Sequence, residues 1–232
     1  MKNGKENACL LQAHSVIVSC QALADEPLHG SEIMSRMALA AKIGGASGIR
    51  ANTFEDIKAI REVVDLPIIG LVKRNYPGFD VYITPTLKEV DEVYKSGADI
   101  VAIDATNRPR PDGQSLATLI EAVRKTYPTL HIMADVSTLQ EGLQAESLGV
   151  DLISTTLSGY TEDTRHLKLP NIHLVRQLSR RVSVPIIAEG GIRCPKDLQK
   201  AFKAGAHSAV IGSAITRPQL ITRAFVEATQ RD

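Results

Sequence analysis

Short runs rich in Val, Ile and Ala recur along the chain, each followed by a longer stretch with apolar residues at helical spacing. The runs are Val16–Cys20, Gly48–Ala51, Pro67–Val72, Asp99–Ile103, His131–Ala134, Asp151–Thr155, Val184–Ala188 and Ser208–Ile211. They show no clean alternation of apolar and polar positions, which is how parallel strands buried on both faces read. Helices are predicted over Ser31–Ile43, Thr53–Val63, Leu87–Ser96, Ser115–Thr126, Leu139–Leu148, Leu174–Arg181, Pro195–Ala204 and Pro218–Thr229. Thr53 with Asp56 gives the second of these an N-cap pair. Pro195 and Pro218 suit first-turn positions, where a missing N–H costs nothing.

The helix-to-strand junctions repeat. Gly45, Gly97, Gly149 and Gly205 each follow an amphipathic segment and precede a β-rich run, at a spacing of about 50 residues, the length of two βα units. A glycine is the common residue just past a helix C-terminus. Strands alternating with helices in this way predict an α/β chain folded as a single (β/α)8 TIM barrel rather than an open doubly wound sheet. The length of 232 residues fits one such barrel, which typically runs to about 250. No linker-like stretch divides the chain, so one domain over 1–232 is expected, with 1–14 as a short N-terminal extension.

Composition narrows the class. A 44% hydrophobic, 23% charged chain can build a sizeable core, and disorder is excluded. A net charge of +1 without clustered basic residues leaves no footprint for nucleic acid. Lys2 and Lys5 before Ala8–Leu11 faintly mimic a signal peptide, but Gln12 and His14 interrupt the apolar run. No run approaches the ~20 apolar residues of a membrane span. Cys9, Cys20 and Cys194 show no pairing or metal spacing, so free thiols and a cytoplasmic location are expected.

In a barrel of this kind the chemistry sits at the C-terminal ends of the strands. The residues that close the runs are Gln21, Arg50, Lys73, Asp104, Asp135, Thr156 and Glu189, then Gly212 and Ser213. Any one of them has a structural reading, since polar residues favour strand ends; together they predict a polar ring. Burial at the rim would lower the pKa of Lys73 and raise that of Glu189, each towards useful acid–base range. Asp104 and Asp135 are candidates for holding sugar hydroxyls, or for anchoring loops. Arg50 is a candidate for stabilising negative charge, or for an ion pair within the ring. The turns at Gly190-Gly191 and Gly212-Ser213 follow the seventh and eighth runs, where backbone N–H groups and a helix N-terminus can cradle a phosphate. Arg217, just before Pro218, would add a cation. The six histidines are scattered and no GxGxxG opens the chain, so neither metal nor nucleotide cofactor is expected.

These residues leave several readings open: a proton-transferring isomerase, a Schiff-base aldolase using Lys73, a metal-dependent sugar-phosphate epimerase, or a barrel that binds a phosphosugar without catalysis. The sequence then resembles a known family in Ile17–Leu23 (IVSCQAL), Glu26-Pro27-Leu28-His29, Gly48–Asn52 (GIRAN), Gly70–Arg74 (GLVKR), Ile132–Asp135 (IMAD), Thr155–Thr161 (TTLSGYT) and Ala214–Pro218 (AITRP). It is similar to the N-acetylmannosamine-6-phosphate 2-epimerases of sialic acid catabolism. The resemblance implies reversible conversion to N-acetylglucosamine 6-phosphate, with Lys73 and Glu189 as the central acid–base pair. It further implies that Gln21, Arg50, Asp104 and Asp135 belong to the site, with Arg217 and the glycine turns on the phosphate. A phosphorylated amino sugar is thus the expected partner, and a homodimer the expected assembly.

Overall fold

The strands close into a ring because each βα unit returns the chain to the same end of the next parallel strand. A computed structural model describes residues 9–229. Strands β1 (Ser15–Cys20), β2 (Gly48–Asn52), β3 (Ile68–Leu71), β4 (Ile100–Asp104), β5 (His131–Asp135), β6 (Leu152–Ser154), β7 (Ile186–Glu189) and β8 (Ser208–Ile211) lie in sequence order. All are parallel, and β8 pairs back onto β1. Helices α1 (Ser31–Ile43), α2 (Phe54–Arg61), α3 (Leu87–Lys95), α4 (Leu116–Thr126), α5 (Leu139–Ser147), α6 (Ile172–Arg181) and α7 (Pro195–Lys203) alternate with the strands. Between β8 and the last helix, α9 (Pro218–Ala228), the chain makes one additional short helix, α8 (Ser213–Thr216), which the sequence pattern does not predict. The barrel expected from the sequence is therefore present.

Local signals explain the element ends. Thr53 Oγ1 accepts the Asp56 N–H at 3.2 Å, and Thr86 and Thr138 form capping boxes with Glu89 and Glu141. Pro195 and Pro218 open α7 and α9. The repeat glycines Gly45, Gly97, Gly149 and Gly205 have φ of 92°, 88°, 80° and 103°, a left-handed conformation that only glycine adopts without strain.

Strand side chains alternate in direction, and this sorts the core into two layers. Outward residues such as Val18, Ile49, Val101, Ile132 and Ile153 meet the helices. Inward residues Ile17, Ile69, Leu71, Ile100, Ala102, Met133, Leu152, Ile187 and Val210 fill the barrel. The same parity, continued one step towards the C-terminal end, lands on Ser19, Arg50, Lys73, Asp104, Asp135, Ser154, Glu189 and Gly212. A further step on β1 and β6 adds Gln21 and Thr156. The polar ring is thus the next layer above a packed apolar plug.

The other end of the barrel is closed by the segment before β1. Of the expected extension, residues 1–8 lie outside the described residues. Cys9–His14 runs beneath the barrel: Leu11 is buried in the inner cluster, and the His14 N–H bonds to the His207 carbonyl at 2.6 Å. His207 Nε2 lies 2.8 Å from the Leu11 carbonyl. An open barrel floor would expose Ile17 and its neighbours, and Leu11 supplies the missing apolar cover.

After β3 the chain doubles back over the mouth. Lys73 pairs antiparallel with Ile83, Arg74 N–H bonds to the Tyr82 carbonyl at 2.9 Å, and Thr84 N–H to the Val72 carbonyl at 2.8 Å. The hairpin is tied to α3 by Arg74, which binds Glu89 and Glu92, and by Tyr76, whose hydroxyl donates to Glu89 at 2.9 Å.

Candidate active site

Arg50 is the centre of the mouth. Its side chain is only 1% exposed and forms a two-pronged pair with Asp135, Nη1 to Oδ1 at 3.2 Å and Nη2 to Oδ2 at 2.6 Å. Nη1 also lies 3.1 Å from Glu189 Oε2. A guanidinium buried this deeply requires anionic partners, and the two carboxylates hold its proton more tightly despite burial. Thr156 Oγ1 sits between the carboxylates, 2.8 Å from Asp135 Oδ1 and 2.9 Å from Glu189 Oε2. Its one hydroxyl proton serves one of them at a time. Ser154 Oγ, at 2.8 Å from Thr156 Oγ1, extends the network.

Two groups here are tuned away from their ordinary ionisation. Burial pushes Lys73 down to about 8, and the neighbouring Arg50 charge adds to the shift, while Glu189 opposes it. Lys73 has no carboxylate at ion-pair distance among the described residues, so its amine is not neutralised by a direct partner. Its backbone is fixed by the N–H donating to Asn52 Oδ1 at 2.8 Å and by the bridge to Ile83. Glu189 is pushed up, first by burial and then by Asp135; Arg50 counteracts both. A lysine that sheds its proton more readily and a carboxyl that keeps its proton longer share one barrel mouth, an arrangement typical of functional sites.

Gln21 donates from Nε2 to Ser19 Oγ at 2.9 Å, while its buried Oε1 has no partner among the described residues. That orphan acceptor can take a hydrogen bond from a ligand. Asp104 is differently placed from a free sugar-binding carboxylate. It is fully buried, with Oδ1 accepting from Thr106 N–H at 3.0 Å and Oγ1 at 2.7 Å, and Oδ2 accepting from Arg108 Nη2 at 2.7 Å. Its structural reading, anchoring the loop after β4, is the one its contacts display. Burial still raises its pKa, against the pull of Arg108.

The glycine turns stand beside this ring. Gly190 and Gly191 have φ of 101° and 71°, and no backbone carbonyl takes the N–H of Gly190, Gly191 or Gly212 among the described residues. A Cβ at Gly191 would lie 2.4 Å from Leu169 Cβ, so that turn accepts only glycine. Ser213 opens α8, in which the Ile215 and Thr216 N–H groups bond to the Gly212 carbonyl at 2.8 and 3.0 Å, and the N–H groups before them have no intrahelical partner. Thr216 fixes α8 by donating to the Ser19 carbonyl at 2.9 Å. Arg217 follows, with Nη1 3.3 Å from Ser213 Oγ and Nη2 donating to Glu26 at 2.8 Å.

Every residue expected at the site lies at this end of the barrel. Those that sequence reasoning missed are Asn52, Ser154, Arg108, Tyr82 and Glu26. Asn52 and Ser154 share the inward parity of the ring and could have been found by extending it. Tyr82 belongs to the hairpin after β3, where burial and the nearby Asp135 and Asp104 raise its pKa and keep its phenol protonated. Nothing in the local pattern marks it. Among the described residues, no group of three or more His, Cys, Asp or Glu could hold a metal ion.

A closed parallel barrel with a buried polar ring at its C-terminal mouth defines a class, the (β/α)8 barrels. Its sequence places it more narrowly. A family model described as "Putative N-acetylmannosamine-6-phosphate epimerase" matches residues 34–231, and the chain belongs to that family. A protein of Shouchella clausii named "Putative N-acetylmannosamine-6-phosphate 2-epimerase" is 55% identical over 219 residues, 94% of this chain and 96% of its own. One of the same name from Caldanaerobacter subterraneus subsp. tengcongensis is 54% identical over 213 residues, 92% of this chain and 90% of its own. The solved N-acetylmannosamine-6-phosphate 2-epimerase from Clostridium perfringens superposes with a TM-score of 0.91 at 48% identity, covering 98% of this chain and 99% of that one. A thiamine phosphate pyrophosphorylase from Pyrococcus furiosus, at 22% identity and a TM-score of 0.61, shares the fold alone.

Proposed function

We propose that this mouth interconverts N-acetylmannosamine 6-phosphate and N-acetylglucosamine 6-phosphate by inverting C2, in the catabolism of sialic acid and related amino sugars. The observation that carries the reading is the desolvated Lys73 facing the network of Arg50, Asp135 and Glu189, in a chain of the epimerase family.

In the open-chain sugar, C1 is an aldehyde and the hydrogen on C2 beside it is acidic. A base that takes this proton leaves an enolate with its negative charge resting on the C1 oxygen. Returning a proton to the opposite face inverts C2, and the balance closes without an oxidant. Lys73, part neutral near pH 8, is the base that takes or returns the C2 proton. Glu189 assists ring opening or the return of the proton. The Arg50 charge, fixed in advance by Asp135, stabilises the developing oxyanion without reorganisation. Gln21 Oε1 accepts from the sugar head, Thr156 bridges the two carboxylates, and Asp104 serves the pocket by orienting Arg108. The 6-phosphate sits on the N–H groups of Gly190, Gly191, Gly212 and Ser213, with Arg217 as its cation.

Replacing Lys73 with Ala tests the assignment. Turnover of the 6-phosphate, followed by NMR of the two epimers, is expected to fall by at least about a thousandfold with the circular dichroism spectrum unchanged. Wild-type turnover in that variant would remove Lys73 from the chemistry.

The working form in this reading is a cytoplasmic homodimer. All three cysteines are free thiols, which supports a reducing compartment. No helix among the described residues is long and apolar enough to cross a membrane. The dimer rests on α9, which buries none of its residues and leaves Phe225 73%, Val226 49% and Leu220 38% exposed. Ile43, at the end of α1, is 80% exposed on the barrel. Exposed apolar residues on α9 and at the end of α1, uncovered on the same chain, fit a second copy as the partner.

A further inference from the structure

We propose that Glu26, in the loop between β1 and α1, is a positioning residue for phosphate recognition: it clamps one edge of Arg217 so that the other edge faces the glycine turns. The inference rests on the phosphate reading of the mouth and assigns a role to the one telling sequence stretch, Glu26–His29, that the chemistry above does not use.

Glu26 is a hub of four contacts. Its Oε2 accepts from the Leu23 N–H at 2.9 Å, which ties the carboxylate to its own loop. The same oxygen accepts from Arg217 Nη2 at 2.8 Å, and Oε1 forms an ion pair with Arg217 Nε at 2.7 Å without the alignment of a hydrogen bond. Oε1 also accepts from Gln219 Nε2 at 3.0 Å. Arg217 and Gln219 flank Pro218 at the start of α9, so one carboxylate fastens the end of the β8 loop to the loop after β1. The pair is sheltered, with side-chain exposures of 26% for Arg217 and 16% for Glu26. Burial works against the ionised carboxyl, but the Arg217 and Leu23 hydrogen bonds prevail and hold Glu26 below the usual carboxylate range.

The geometry leaves Nη1 of Arg217 to face Ser213 Oγ, at 3.3 Å, on the first residue of α8. A free arginine side chain samples many rotamers, and binding an anion must freeze them. With the Nε–Nη2 edge already held, the remaining edge is in place before a phosphate arrives. Against this, the carboxylate offsets part of the arginine charge. Preorganisation wins because the Nε–Nη2 edge that Glu26 occupies is not the edge that points at the turns.

The test measures inhibition by inorganic phosphate, together with KM and kcat for N-acetylmannosamine 6-phosphate, in Glu26→Gln, Glu26→Asp, Arg217→Ala and the Glu26→Gln/Arg217→Ala double variant. Glu26→Gln keeps the shape while removing the charge and one of the two acceptor oxygens. The expected result is that Glu26→Gln weakens phosphate inhibition and raises KM by about tenfold, with kcat within about twofold. Glu26→Asp recovers part of the loss, and Glu26→Gln adds nothing once Arg217 is gone. If Arg217→Ala weakens phosphate binding but Glu26→Gln leaves it unchanged or improves it, the positioning role is overturned and the phosphate reading stands. A Glu26→Gln effect that persists undiminished in the Arg217→Ala background also overturns it. If Arg217→Ala leaves phosphate inhibition unchanged, the phosphate assignment fails and this inference with it.

Discussion

Lys73 and Glu189 are tuned in opposite directions by one environment. Burial disfavours the charged form of each, so the lysine falls and the carboxyl rises. Arg50, ion-paired to both Asp135 and Glu189, sits between these effects: it lowers Lys73 by repulsion and opposes the rise of Glu189 by attraction. The pH dependence follows with a definite sign. If neutral Lys73 is the base, kcat/KM rises with pH and levels off above about 8. Glu189→Gln removes the negative charge that holds the Lys73 proton, so the lysine titrates at lower pH in that variant. NMR titration of 13C-labelled lysine side chains reads this directly; a shift to higher pH would contradict the electrostatic account. The stability sign is the same. A lysine with a folded pKa of about 8 against an unfolded value near 10.4 favours the folded state fully above pH 10.4, and loses that contribution as pH falls to 8.

At the scale of elements, the turns that would cradle the phosphate depend on backbone shape more than on side chains. Gly191 has a φ of 71° and no room for a Cβ beside Leu169. Gly191→Ala is therefore expected to cost about 1–3 kcal/mol in denaturant unfolding, and to raise KM for the 6-phosphate more than it lowers kcat. An unchanged midpoint and KM would show that the turn is not so constrained. The strand order, the caps at Thr53 and Pro195, and the four repeat glycines were legible in the sequence because each depends on residues a few positions apart. The α8 turn was hidden, since four residues give no period to detect. The hairpin after β3 was hidden too, because its pairing of Lys73 with Ile83 needs the mouth already built. The site was legible as a ring of strand ends but not as a network. Which acid Arg50 would choose depends on a contact with Asp135, 85 residues away, and Glu26 meets Arg217 across 191 residues. Leu11 looked external because no motif surrounds it, whereas the barrel floor needs an apolar residue from somewhere.

The whole molecule is a packed barrel with one helix left over. Its interior apolar layer supports the polar ring from below, and the outer layer couples strands to helices, so strand ends are held rigidly where the chemistry is expected. Among the described residues, α9 is the one helix with no fully buried residue. A wild-type dimer in analytical ultracentrifugation that becomes a monomer in the Phe225→Asp/Val226→Asp double variant is the expected outcome. A monomeric wild type, or a double variant that stays dimeric, would remove α9 from the interface. The chemistry itself turns on the C2 proton. Epimerisation run in deuterated water, with the product examined by proton NMR and mass spectrometry, tests it most directly. N-acetylglucosamine 6-phosphate formed by the wild-type enzyme is expected to carry solvent deuterium at C2, and the Lys73→Ala variant is expected to incorporate none. Inverted product that retains its original C2 hydrogen throughout would contradict proton exchange at this mouth.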